Sequence, residues 1–87
     1  MIERTCEWII NVTGGTWVGN AADRHRLIRG VATDTRQLEP NQLYVPLAGE
    51  RFDGHQFIGQ AMERGAAAAL WSQGRPVPEN RTIPFIL

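Results

Sequence analysis

The stretch Leu43-Tyr44-Val45-Pro46-Leu47-Ala48-Gly49-Glu50-Arg51-Phe52-Asp53-Gly54-His55-Gln56-Phe57-Ile58-Gly59-Gln60-Ala61-Met62-Glu63-Arg64-Gly65-Ala66-Ala67-Ala68-Ala69-Leu70-Trp71 decides the fold. Leu43 to Leu47 is a short β-prone run and reads as a strand. Pro46 has no N–H for a ladder, so it marks a sheet edge or the strand's end. From Asp53 to Arg64 the period changes: Phe57, Ile58, Ala61 and Met62 recur at helical spacing, with Asp53 as a cap and Gly65 as a stop. Alanine favours helix, yet Gly65 on one side and Gly74, Pro76 and Pro78 on the other leave little room for one. Ala67 to Trp71 therefore reads as a buried strand whose small side chains let helices pack close. Strand, helix, strand makes one βαβ unit, expected to be parallel and right-handed. The expected fold class is α/β, a small mixed sheet built on this unit with flanking helices.

Working outward toward the amino terminus, Cys6, Ile9, Ile10 and Thr13 recur at three- and four-residue spacing. Thr5 can cap, Glu7 stands in the first turn, and Gly14-Gly15 ends the run, which predicts a short amphipathic helix. Trp8 and Val12 are expected to widen its buried stripe. Thr16-Trp17-Val18 reads as a brief edge strand and Asn20 to Arg26 as a polar loop. Leu27 to Thr33 reads as one strand interrupted at Gly30 by a bulge or close approach. Only a short link, with a turn at Pro40-Asn41, joins it to Leu43. Parallel crossovers usually need about a dozen residues or more, so antiparallel neighbours are one option and an intervening strand or sharp return of the link another. Beyond Trp71 lies a Gly- and Pro-rich loop, then a last β-like run from Ile83 to Leu87. That run is expected to continue in a longer chain, because no turn or polar tail closes it.

At 87 residues the chain fits one small domain. Nine acidic residues balance nine basic ones without blocks of either sign, so neither a nucleic-acid nor a membrane partner is expected. All the bases are arginine, which excludes a P-loop lysine, a Schiff-base lysine and a lysine general base. The lone Cys6 cannot form an internal disulfide, and no signal peptide or membrane span is evident. The expected setting is the cytoplasm.

Ligands of open α/β sheets collect at the carboxyl ends of strands, where helix N-termini present free N–H groups. The loop Ala48 to Gly54 occupies such a place: its glycines allow close backbone approach, Arg51 can fork onto a phosphate, and Phe52 can face a base. An ordinary surface loop with Asp53 as helix cap is the competing reading. Asp34-Thr35-Arg36 is the second candidate, with hydroxyls and a guanidinium for a pyrimidine or phosphate. It competes with plain turn chemistry and an internal Asp34 to Arg36 pair, which contributes about 0 to 1 kcal/mol if exposed. His55 has no recognisable metal-ligand spacing around it, and Ser72, the sole serine, has no evident base. No catalytic or metal-binding machinery is expected within the chain.

Taken together, Gly30-Val31-Ala32-Thr33-Asp34-Thr35-Arg36, Leu43 through His55, Phe57-Ile58 and Ala61 through Ala68 resemble the opening domain of the Mur ligases. The phrase Gly49-Glu50-Arg51-Phe52-Asp53-Gly54-His55 is most similar to the MurF branch, which adds D-alanyl-D-alanine in peptidoglycan precursor synthesis, with the MurE branch as the alternative. The resemblance implies a MurE/MurF-like amino-terminal domain that holds the UDP portion of UDP-N-acetylmuramoyl-tripeptide. It implies Thr33, Thr35, Arg36, Glu50, Arg51 and Phe52 as UDP-binding residues, the threonines near uracil or ribose and the arginines offsetting diphosphate charge. It further implies partnership with central and carboxy-terminal domains of the same chain, which bring ATP and Mg²⁺. No cofactor and no turnover are expected of this domain alone. A stand-alone nucleotide-binding or regulatory module, similar to the sensory domain of HPr kinases, and a purely structural interaction domain are the other readings.

Overall fold

The computed structural model describes residues 3–48 and 53–87. Strand β1 (Arg4–Thr5) leads directly into helix α1 (Cys6–Thr13), followed by β2 (Trp17–Val18) and a 3-10 helix at Ala21–His25. Then come β3 (Leu27–Ile28), β4 (Val31–Ala32) and β5 (Leu43–Tyr44). A second 3-10 turn (Gly54–Phe57) runs into helix α2 (Ile58–Glu63), and β6 (Ala68–Leu70) and β7 (Phe85–Ile86) complete the chain. Five strands form one sheet in the order β2-β7-β6-β5-β4. Strands β4, β5, β6 and β7 run parallel, and β2 pairs antiparallel with β7 at the edge.

The βαβ unit forms as its periodicity predicts: β5 and β6 are parallel neighbours, with Leu43 opposite Ala68 and Tyr44 opposite Ala69. β5 lies in the sheet interior, so Pro46 marks the strand's end rather than an edge. Asp53 caps the element that follows, its side chain accepting from the His55 N–H. The first turn there is 3-10, however, and the α-helix begins only at Ile58.

Alternation along these strands divides the core between the two faces of the sheet. Tyr44 and Ala69 point to the side where Ala61, Ile58 and Met62 of α2 pack, together with Trp71 and Phe85. Leu43 and Ala68 point to the other, against Cys6 and Ile9 of α1 and Ile28 of β3. The alanine run is wholly buried from Ala66 to Ala69; its small side chains admit an element on each face, which resolves the conflict with helix propensity. Burial pushes the Cys6 thiol up from its ordinary pKa, which keeps it protonated and inert.

Helix α1 has the expected ends, a side-chain cap from Thr5 to the Trp8 N–H and a left-handed Gly14. Its buried stripe is narrower than its apolar content suggests. Cys6 and Ile10 are buried, but Trp8 is 43% and Val12 63% exposed, and Thr13 is also exposed. Trp8 and Val12 stand two residues from Cys6 and Ile10, roughly 200° around a helix of about 100° per residue. The Arg4 guanidinium covers the Trp8 ring at 5.2 Å.

Two further expectations are corrected. Asn20 to Arg26 is not unstructured, since Ala21–His25 is helical in the 3-10 sense. Leu27 to Thr33 is not one strand: β3 pairs with β1 in a separate two-stranded ribbon, while β4 joins the main sheet. Gly30, at φ +119°, makes the break, in a region that side chains disfavour.

The link 33–42 joins parallel neighbours, β4 and β5, with Val31 opposite Leu43. So short a crossover suffices because each strand is two residues long, which leaves little distance to recover at about 3.3 Å per residue. The link returns sharply through hydrogen bonds from Gln37 N–H to Asp34 O, Leu38 N–H to Thr35 O and Gln42 N–H to Glu39 O. Leu38, 4% exposed, anchors it in the core. Parallel pairing sends the segments after β4 and after β5 out at the same end of the sheet.

Candidate nucleotide-binding site

At that end lies a cavity of about 580 Å³ lined by Thr33, Asp34, Thr35, Arg36, Tyr44, Leu47, Phe57 and Gln60. Three elements supply these residues: the link leaving β4, the exit of β5, and the helical segment on its way to β6. Of the six residues expected at the site, Thr33, Thr35 and Arg36 are brought together here. Glu50, Arg51 and Phe52 lie outside the described residues. The base of their loop is defined by an antiparallel bridge between Ala48 and Asp53 and by a 2.7 Å bond from Gly54 N–H to Leu47 O.

Thr35 is 4% exposed, and its hydroxyl donates to Gln60 Oε1 at 2.8 Å. Tyr44 is fully buried and its hydroxyl donates to Gly54 O at 2.8 Å, pinning the 3-10 turn to the sheet. Loss of solvation, then the nearby Asp34 and Asp53 carboxylates, raise the Tyr44 pKa, so its proton stays in this bond. Asp34 and Arg36 form the expected internal pair, with Nη2 to Oδ2 at 2.8 Å and Nε to Oδ1 at 3.1 Å, and the Arg36 N–H closes the turn onto Oδ1 at 2.9 Å. The Arg36 side-chain bond holds the Asp34 carboxyl below its usual range, and Asp34 in turn raises Arg36. Arg36 remains 85% exposed on its side chain, so the guanidinium rims the cavity with donors still facing solvent. Arg64 Nη1 donates to Arg36 O at 3.2 Å and holds the link against α2.

A second cluster sits beside the exit of β6. The sequence leaves Ser72 without a base; the structure corrects this, placing Ser72 Oγ 3.0 Å from His55 Nε2 while His55 Nδ1 lies 2.7 Å from Asp53 Oδ1. A carboxylate only accepts, so Nδ1 donates, and in that tautomer of the neutral ring Nε2 accepts the hydrogen bond from the Ser72 hydroxyl. The order carboxylate, imidazole, hydroxyl is that of a hydrolytic triad. Here the carboxylate is engaged further, by the His55 N–H that it caps and by Arg75. The imidazole is 2% exposed and packs T-shaped on Trp71 with ring centroids 4.6 Å apart. These bonds tie the loop after β6 to the start of the 3-10 turn. The His55 bond, followed by the bonds from the His55 N–H and Arg75, lowers the Asp53 pKa.

Gln60, Tyr44, Leu47 and Phe57 escaped sequence reasoning as cavity residues. One signal was available: Phe57 and Gln60 stand three apart, so a helix presents both on one side. That this side meets Thr35 follows only from the packing of α2.

Residues 27–83 match the family described as Mur ligase family, catalytic domain. The chain is 50% identical over 87 residues to the UDP-N-acetylmuramoyl-tripeptide--D-alanyl-D-alanine ligase of Bacillus subtilis, covering 99% of this chain and 19% of that protein. It is 38% identical over 56 residues to the UDP-N-acetylmuramoyl-L-alanyl-D-glutamate--2,6-diaminopimelate ligase of Chlorobium phaeobacteroides, covering 64% of this chain and 11% of that one. Among solved structures, MurF from Acinetobacter baumannii superposes on all of this chain with a TM-score of 0.78 at 25% identity, over 18% of its own length. The chain thus spans about a fifth of the length of the Bacillus subtilis and Acinetobacter baumannii relatives. On the family match and the likeness to MurF in both sequence and fold, the chain belongs to the Mur ligase family and has the fold of a MurF-type amino-terminal domain.

Proposed function

We propose that the chain is the amino-terminal domain of an ATP-dependent ligase that adds D-alanyl-D-alanine in the cytoplasm, and that it holds the UDP end of UDP-N-acetylmuramoyl-tripeptide. The observation that carries this reading is the convergence of Thr33, Thr35 and Arg36 on one cavity at the carboxyl ends of parallel strands. That is where α/β sheets place ligands. An apolar wall of Leu47, Phe57 and Tyr44 suits a base or ribose, and Arg36 at the rim suits a phosphate. Glu50, Arg51 and Phe52 belong to the proposal through the family resemblance.

The chemistry is assigned to the rest of the ligase. Acyl-phosphate formation with ATP and Mg²⁺ uses a phosphate-binding lysine and metal-binding groups. This chain has no lysine, and among the described residues no three His, Cys, Asp or Glu side chains gather. The domain's contribution is orientation, since a held nucleotide keeps the distant reacting carboxylate in register. A MurE-type substrate is the second reading, carried by the diaminopimelate ligase relative.

Titration of the chain with UDP, followed by ¹H–¹⁵N NMR, tests the proposal. Shifts are expected at Thr33 to Arg36, Tyr44 and Gln60. Shifts confined to the α1 face, or none at millimolar UDP, would overturn it.

A further inference from the structure

We propose that Ser72 is a nucleophile activated by His55, and that the chain uses it to hydrolyse small carboxylic esters. The site is distinct from the nucleotide cavity, with which it shares no lining residue. Ser72 Oγ stands 3.0 Å from His55 Nε2, and His55 Nδ1 stands 2.7 Å from Asp53 Oδ1. At such spacings an imidazole takes a hydroxyl proton while a carboxylate fixes its tautomer. Arg75 engages the other carboxylate oxygen. The Asp53 carboxyl, held below its ordinary range chiefly by the His55 bond, is ionised at neutral pH. The imidazole is enclosed against Trp71, whereas Ser72 is exposed. An enclosed base behind an exposed hydroxyl leaves the nucleophile open to a ligand and shields the base from bulk water.

Beside Ser72 lies a depression of about 160 Å³ lined by Pro46, Leu70 and Trp71. A space of about that size holds a benzene ring, so its apolar wall fits a short acyl chain. The backbone N–H groups of Ser72 and Gln73 have no acceptor among the described residues, which leaves donors next to Oγ for a developing oxyanion. In the reaction Oγ attacks the ester carbonyl carbon and its proton passes to His55 Nε2. The bond from that carbon to the alkoxy oxygen breaks, the leaving alkoxide takes the proton, and the acyl group stays on Ser72. Water then gives a proton to Nε2 and its oxygen bonds the acyl carbon. The bond to Oγ breaks, the proton returns to Oγ, and a carboxylic acid leaves.

The experiment mixes p-nitrophenyl acetate with the 87-residue chain and follows release of p-nitrophenolate, with mass spectrometry of the acid-quenched protein and its peptides. Turnover above the buffer rate is expected, with one acetyl group on Ser72. Ser72→Ala should abolish both. His55→Gln keeps the hydroxyl but removes the base, and should slow acetylation of Ser72 by about 100-fold or more. Asp53→Asn should slow it too, and Asp53→Glu, which restores a carboxylate, should recover part of the rate. Dispersed amide spectra confirm that each variant folds, and the adduct on the unaltered chain needs no variant at all. No turnover and no adduct on the unaltered chain, acetylation only at residues other than Ser72, or an unchanged rate in folded His55→Gln would each overturn the proposal. None of these results bears on UDP binding, so the nucleotide reading stands or falls separately.

Discussion

Asp53 Oδ1 lies 2.7 Å from His55 Nδ1, and the same carboxylate accepts the His55 backbone N–H and a bond from Arg75. One side chain thereby caps the 3-10 turn, orients the imidazole that reaches Ser72, and holds the loop that carries Arg75. The His55 bond, with the others, keeps this carboxyl below its ordinary range in the folded chain. A depressed carboxylate pKa contributes stability that is present above the unfolded value of about 3.9 and is lost as pH falls through the folded value. Asp34, lowered by Arg36, acts in the same direction. The melting temperature should therefore fall through the acid range below the unfolded carboxylate value. Asp53→Asn should melt lower than the native chain at neutral pH and show a shallower acid decline; an unchanged decline would remove Asp53 from this account.

Gly54 should tolerate no side chain. A Cβ there would stand 2.8 Å from Leu47 N and 2.9 Å from Pro46 Cα, both backbone atoms that cannot swing aside. Gly54→Ala is expected to cost about 1 to 3 kcal/mol, as overpacking does, and to shift the Tyr44 and Leu47 amide signals. Urea denaturation alongside an amide spectrum checks both.

The alanine run should be equally intolerant of size. Ala68 is fully buried and faces Cys6, Ile28 and Leu43. Ala68→Leu adds three carbons to a filled layer and should destabilise by about 1 to 3 kcal/mol, measured as a lower urea midpoint at an unchanged slope.

Trp8 and Tyr44 should rank opposite to their sizes. Trp8 is 43% exposed, and Trp8→Ala is expected to cost below about 1 kcal/mol. Tyr44→Phe removes a single oxygen but strands the buried Gly54 carbonyl, at a cost of about 1 to 3 kcal/mol. Thermal melts of the two variants side by side decide the order.

Much of this was legible in the sequence because it is local. The Thr5 cap, the Gly14 stop, the Asp53 cap and the strand, helix, strand unit depend on relations among residues a few positions apart, which periodicity and capping chemistry record directly. Thr35 and Arg36 were picked out on the same terms, as polar residues at a strand exit, whereas Thr33 came from the family resemblance. The extent of the α1 stripe was not, since composition marks Trp8 and Val12 as apolar without saying where the helix meets the sheet.

What the sequence by itself determined is the order and type of most elements, the α/β class, the βαβ unit, and the absence of lysine chemistry from this chain. Tertiary structure alone decided that the segment 27–33 divides between two sheets, that β4 and β5 lie parallel across so short a link, and that Gln60 meets Thr35 while Ser72 meets His55. Those last contacts span 25 and 17 residues. They exist because the chain folds back and packs α2 and the exit of β6 against neighbouring strand ends, a long-range arrangement set by burial on both faces of the sheet rather than by any local preference.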